Sequence, residues 1–93
     1  MIASQVRSNR MLQTKHYSNG QLAVLMRDKD GEPLAELSVM RDSVELAPDE
    51  FIVKDYSENT DLAQELLKLK LFVPTDRFIL IGPHLCPICR IST

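Results

Sequence analysis

The stretch MLQTKHYSNGQLAVLMRDKDGEPLAELSVM, residues 11–40, decides the fold. Its Asn19-Gly20 pair separates two β-prone segments, the strongest short-range hairpin signal, because both residue types accept positive φ. Residues 11–17 and 21–27 are therefore expected to pair as antiparallel strands. A second turn follows at Asp28-Lys29-Asp30-Gly31-Glu32-Pro33. Beyond it, Ala35, Leu37 and Val39 alternate with Glu36 and Ser38, the period of a half-buried strand over 34–40. Together these pieces predict a three-stranded meander.

Toward the C-terminus, residues 41–50 hold Pro48 and several acids around the isolated apolar anchors Val44 and Leu46, which suits an ordered loop. Residues 51–54 read as a short strand. Leu62, Ala63, Leu66, Leu67 and Leu69 then recur at helical spacing and predict one helix over 60–70. Asp61 and Glu65 lie early in it and Lys68 and Lys70 late, which complements the macrodipole. So short a helix is unstable alone in water, so its leucine stripe must dock on the sheet. Pro74 is expected to close a strand over 71–73, residues 78–81 form a buried-type strand, Gly82-Pro83 turns, and 85–91 form the last strand. Residues 1–10 lack an apolar period and are expected to be a flexible or loosely docked arm. The whole is read as one α+β domain spanning 1–93, an antiparallel sheet of about five or six short strands with one α-helix packed on one face.

Composition supports a single unit: 93 residues, 44% apolar and 26% charged, are too few for two separate cores. The longest apolar run is Leu22 to Met26, whereas a membrane-spanning helix needs about 20 residues. Arg7 and Arg10 have no apolar stretch behind them, so no secretory signal is expected and a cytoplasmic location is the default. Two cysteines are too few for a disulfide scaffold.

Charge is segregated along the chain. Residues 1–27 carry Arg7, Arg10, Lys15 and Arg27 and no acid; residues 28–65 carry twelve acids against three bases; residues 66–93 are again basic. The basic arm and hairpin, Arg7, Arg10, Lys15 and Arg27, are the candidate residues of a nucleic-acid-binding reading. The acidic centre suits a basic protein surface, including one that normally holds nucleic acid.

Other constellations are weaker. His84-x-Cys86-x-x-Cys89 offers three zinc-type ligands, with His16 as a fourth only if its strand lies beside the last one. Residues three apart on a strand point to opposite faces, so buried free thiols and no cofactor are expected instead. Asp28-x-Asp30-Gly31 lacks the remaining oxygen ligands of a calcium loop and reads as a turn. No nucleophile–base spacing or glycine-rich phosphate loop is present, so the chain is not expected to be an enzyme.

The segment Leu46-Ala47-Pro48-Asp49-Glu50-Phe51-Ile52-Val53-Lys54-Asp55-Tyr56-Ser57-Glu58-Asn59 resembles a family of short uncharacterised proteins carried by conjugative plasmids, integrative elements and phages. Leu37-Ser38-Val39, Pro74-Thr75-Asp76-Arg77 and Pro87-x-Cys89-Arg90-Ile91 resemble further family segments, in the same order. Met40 stands where the family usually has asparagine, and Asp76 where it has glycine. The resemblance implies a mobile-element context. From it follows the expectation of a non-enzymatic, anti-CRISPR-type inhibitor that binds a host nuclease or surveillance complex and excludes target DNA. Asp49, Glu50, Asp55, Glu58 and Asp61 would then form the recognition face, with Tyr56 as the aromatic anchor. The competing reading of those residues is an ordered loop that caps the helix. The expected partner is a host protein or ribonucleoprotein, with no membrane contact and with a homodimer left open.

Overall fold

A computed structural model describes residues 5–7 and 10–92, with side chains over 11–92 other than that of Glu58. Among these residues the fold is predominantly antiparallel β with one short helix. Eight strands form two four-stranded sheets rather than one sheet of five or six. The first sheet comprises β1 (Gln5–Arg7), β2 (Arg10–His16), β3 (Leu22–Asp28) and β4 (Pro33–Glu36), in that order. The second comprises β5 (Ser38–Val39), β6 (Glu50–Val53), β7 (Phe72–Ile81) and β8 (His84–Ile91), in the order β5-β6-β8-β7. Part of the expected arm is thus a strand: Gln5 pairs with Met11 and Arg7 with Arg10.

The first hairpin runs in register from Arg10 opposite Asp28 to His16 opposite Leu22. Of its Asn-Gly pair, only Gly20 takes positive φ, at 88°, while its N–H donates to the Tyr17 carbonyl at 2.9 Å. Asn19 contributes its side chain instead, accepting from the Gln21 N–H at 3.0 Å. The second turn repeats this design. Gly31 has φ 85°, and Asp28 Oδ1 accepts the N–H groups of Asp30 and Glu32, both at 2.9 Å. That carboxylate oxygen is committed to backbone, as an Asx-type turn requires.

The expected strand over 34–40 is in fact two, and the chain changes sheets between them. Leu37 makes the join: its N–H donates to the Val24 carbonyl and its C=O accepts from the Lys54 N–H, both at 2.8 Å. Leu37 is fully buried, and so, against the alternation, is Ser38. The Ser38 hydroxyl is satisfied there, accepting from the Val24 N–H at 2.9 Å and meeting the Tyr17 hydroxyl at 2.8 Å.

Two apolar clusters flank the second sheet. The main core joins Leu22, Val24 and Met26 of the first sheet to Phe51, Val53, Phe72 and Cys89 of the second. Helix α1 (Thr60–Lys68) closes it with Ala63 and Leu66. The second cluster, Ile52, Ile81, Cys86 and Ile88, is covered by Val44 and Leu46 of the 41–49 loop. Gln21 holds that loop down. Its amide nitrogen donates to the carbonyls of Arg41 at 2.8 Å and Val44 at 2.9 Å, and its amide oxygen accepts from the Arg41 N–H at 3.0 Å.

Three described non-glycine residues adopt the left-handed conformation: Ser57 before α1, and Lys70 and Asp76 at points that favour glycine. The helix ends two residues earlier than its leucine spacing predicts, in a Schellman motif. Lys70, at φ 58°, donates its N–H to the Leu67 carbonyl, and Leu71 donates to that of Leu66. Strand β7 runs through Pro74 by means of a bulge at Thr75-Asp76, where Asp76 has φ 70°. Left-handed backbone costs an L-residue about 1–2 kcal/mol, partly offset by the greater unfolded-state entropy of glycine. Lys70→Gly and Asp76→Gly are each expected to raise stability by about 0.5–1 kcal/mol, seen as a higher urea midpoint at constant m-value. A lowered midpoint in both would show that the side chains matter more than the backbone.

Candidate functional site

The acidic residues between β5 and α1 do not form one free face. Glu50 opens β6 and is buried. Its Oε1 accepts from Arg77 Nη1 at 3.1 Å and from the Ala47 N–H at 2.9 Å, and its Oε2 from Arg90 Nη2 at 3.2 Å. Asp49 Oδ2 meets Arg90 Nε at 3.0 Å. Arg77 also donates to the Glu45 carbonyl at 2.9 Å. These charges fasten the covering loop to β7 and β8; Glu50 is buried among them, whereas the Asp49 side chain is half-exposed beside Arg90. Asp61 is exposed in the first turn of α1, where it favours the positive end of the helix dipole. The Glu58 side chain lies outside the described residues.

Asp55 and Tyr56 have a different setting. The chain leaves β6 at Val53 and carries Lys54, Asp55 and Tyr56 past the end of the β7–β8 hairpin. Tyr56 stacks flat on His84, with ring centroids 4.1 Å apart and planes 4° from parallel. Lys54 Nζ lies 5.8 Å from the centroid of the same Tyr56 ring. Burial pushes the Asp55 carboxyl above its ordinary pKa, opposed by a backbone hydrogen bond and by the nearby charge of His84. Tyr56 also borders an open groove of about 280 Å³ lined by Tyr17, Glu36, Ser38, Val39, Met40 and Lys54.

The far wall of that groove is a short hydrogen-bonded chain. The Tyr17 hydroxyl donates to Glu36 Oε2 at 2.7 Å and lies 2.8 Å from Ser38 Oγ. Since Ser38 Oγ accepts from Val24, its own proton is available to Tyr17. Burial and the Glu36 carboxylate push the phenol up to about 12, so Tyr17 stays neutral and fixed across the physiological range. Tyr17, Glu36, Ser38 and His84 were not expected in a shared site with Tyr56. Only pairing across the two sheets brings them there, and no sequence spacing reports it.

The zinc reading of His84, Cys86 and Cys89 fails on geometry. Strand β8 is extended through Pro87, so Cys86 joins the second cluster and Cys89 the main core on the opposite face. His16 belongs to β2, in the other sheet. Burial pushes the Cys89 thiol up to about 11 and raises that of Cys86 as well, leaving both protonated and shielded from solvent. Neither can serve as a nucleophile or shared ligand in this state.

Of the basic residues, Lys15 and Arg27 share the outer face of the first sheet by strand alternation. Arg27 is committed, donating to Gln13 Oε1 and to the Gly31 carbonyl. The side chains of Arg7 and Arg10 lie outside the described residues. Among the described residues no helix is long and apolar enough to cross a membrane.

Compared with family models, with curated proteins and with solved structures, the chain finds no match.

Proposed function

We propose that this chain is a non-enzymatic binding protein that contacts its partner through the Tyr56 rim and the adjoining groove. In keeping with its resemblance to mobile-element proteins, the partner is a host defence protein or ribonucleoprotein presenting a basic surface, and binding acts as counter-defence. The Tyr56–His84 stack is the observation that carries this reading. It holds a large amphipathic ring in one orientation before any partner arrives, which reduces the ordering cost of association. Glu36 lines the adjoining groove, while Asp55 and Asp61 add charge nearby in the chain. Complementary charge speeds encounter and selects the partner, while the aromatic anchor supplies most of the affinity.

The test is phage plating on a host with an active nuclease-based defence. Wild-type protein is expected to raise plating efficiency, Tyr56→Ala to return it to the empty-vector level, and Arg27→Ala to leave the effect intact. Circular dichroism checks that each variant is folded. No gain with the wild type, or an undiminished gain with folded Tyr56→Ala, would exclude the reading.

A further inference from the structure

Among the described residues strand β7 is an edge of the second sheet, with β8 as its strand neighbour. Natural edges are defended by proline, bulges and charge, because an undefended edge templates further pairing. In β7 all three defences fall in the first half: Pro74, the bulge at Thr75-Asp76, and Arg77. The second half, Phe78-Ile79-Leu80-Ile81, has no proline, no charge and no irregularity. Phe78 and Leu80 are 56% and 67% exposed, and Leu85, directly opposite Leu80 on β8, is 59% exposed. Three large apolar side chains thus stand open on one face, next to an open ladder.

We propose that residues 77–81 pair antiparallel with the same residues of a second copy about a twofold axis, Ile79 opposite Ile79. An uncharged antiparallel edge is complementary to itself under such an axis, and no other partner chemistry is written into it. Opposed residues in a ladder share a face, so this register sets Phe78 of each copy against Leu80 of the other. Two apolar rows then cross the junction. Each runs Leu85, Leu80, then Phe78 and Pro87 of the second copy, because Leu80 pairs with Leu85 and Phe78 with Pro87 within each hairpin. Arg77 falls opposite Ile81, so no like charges meet. A slip of one residue would set the exposed apolar face against the opposite one. Pairing consumes the free edge of both copies, which closes the assembly at two.

Five residues of ladder with these side chains fall well short of the about 800 Å² per partner of a standard stable interface. The association is therefore expected in the micromolar range and to depend on concentration. Sedimentation velocity from about 1 to 500 µM should show monomer passing into dimer across that range. Leu80→Lys, at an exposed position, should weaken the dimer at least tenfold while the thermal midpoint measured at low concentration stays put. In Ile79→Cys combined with Cys86→Ala, which removes the free thiol facing residue 79 on β8, oxidation should trap a disulfide-linked dimer, since opposed Cα atoms in a ladder lie about 4.5–5.5 Å apart, within disulfide reach. Leu85→Cys should not crosslink. Wild type that stays monomeric throughout, a dimer undisturbed by Leu80→Lys, open-ended oligomers, or no crosslink at residue 79 would each overturn the proposal.

Discussion

Phe51→Ala is expected to cost about 4 kcal/mol, the largest effect of any single substitution considered for this chain. Phe51 is fully buried in the central part of the main core. Its ring meets Phe72 edge to face, with centroids 5.2 Å apart and an interplanar angle of 80°. Truncation would lose transfer free energy, leave a cavity and remove that aromatic contact, itself worth about 0.5–1.5 kcal/mol. Relax as it may, a core assembled from both sheets and the helix cannot collapse into the space without moving several elements. A domain of this size commands roughly 5–14 kcal/mol in total, so much of the folded margin would go. The control is Phe78→Ala at low protein concentration. Phe78 is 56% exposed and should cost less than about 1 kcal/mol. Urea unfolding of the two variants decides the matter, and equal costs would contradict the placement of the rings.

The second large effect is expected at Glu50. Glu50→Ala should lower stability by about 2–3 kcal/mol, through loss of its charge-assisted hydrogen bonds and of the acceptor for the Ala47 N–H. The loss is not larger because Arg77 and Arg90, with side chains 48% and 53% exposed, can rehydrate once their partner is gone. Arg77→Ala or Arg90→Ala should each cost only about 1 kcal/mol, since Glu50 keeps the other guanidinium. A double-mutant cycle on Glu50 and Arg77 should give a coupling of about 1 kcal/mol or more. It should survive 1 M salt, because Glu50 is only 8% exposed and poorly screened. The more open pair Asp49–Arg90, at 49% and 53%, should show a coupling that vanishes in the same salt. A Glu50–Arg77 coupling that salt abolishes would mean the carboxylate is not buried in solution. Neither acid belongs to the Tyr56 rim, so folded variants at Asp49 should keep whatever binding Tyr56 supports.

Local signals made much of this fold legible. Asn19-Gly20 and Asp28 to Gly31 each mark a turn through a glycine in the left-handed region and a side chain that caps it, and both turns are where they were expected. Of the expected leucine stripe, Ala63 and Leu66 are buried, whereas Leu69 lies beyond the end of α1 and is half-exposed. What escaped depends on partners distant in the chain. Alternation over Ala35, Leu37 and Val39 continues undisturbed across the change of sheet, so nothing in it marks Leu37 as a junction. Ser38 looks like a solvent-facing residue until Val24 and Tyr17 are seen to satisfy it. Glu50 reads as one acid among twelve because its two arginines lie 27 and 40 positions further on. Of the residues expected in the recognition face, Tyr56 borders a groove, Glu50 is buried between two arginines, and Asp49 is half-exposed beside Arg90.

The passage of the chain through Leu37 bears on how the molecule comes apart. One residue donates to β3 with its amide and accepts from the segment after β6 with its carbonyl, so neither sheet can lose its ladder there without loosening the other. The helix seals a core to which both contribute. Such an arrangement has no seam along which half could open while half persists, and its slowest-exchanging amides should therefore be shared between the two sheets and report a single global opening.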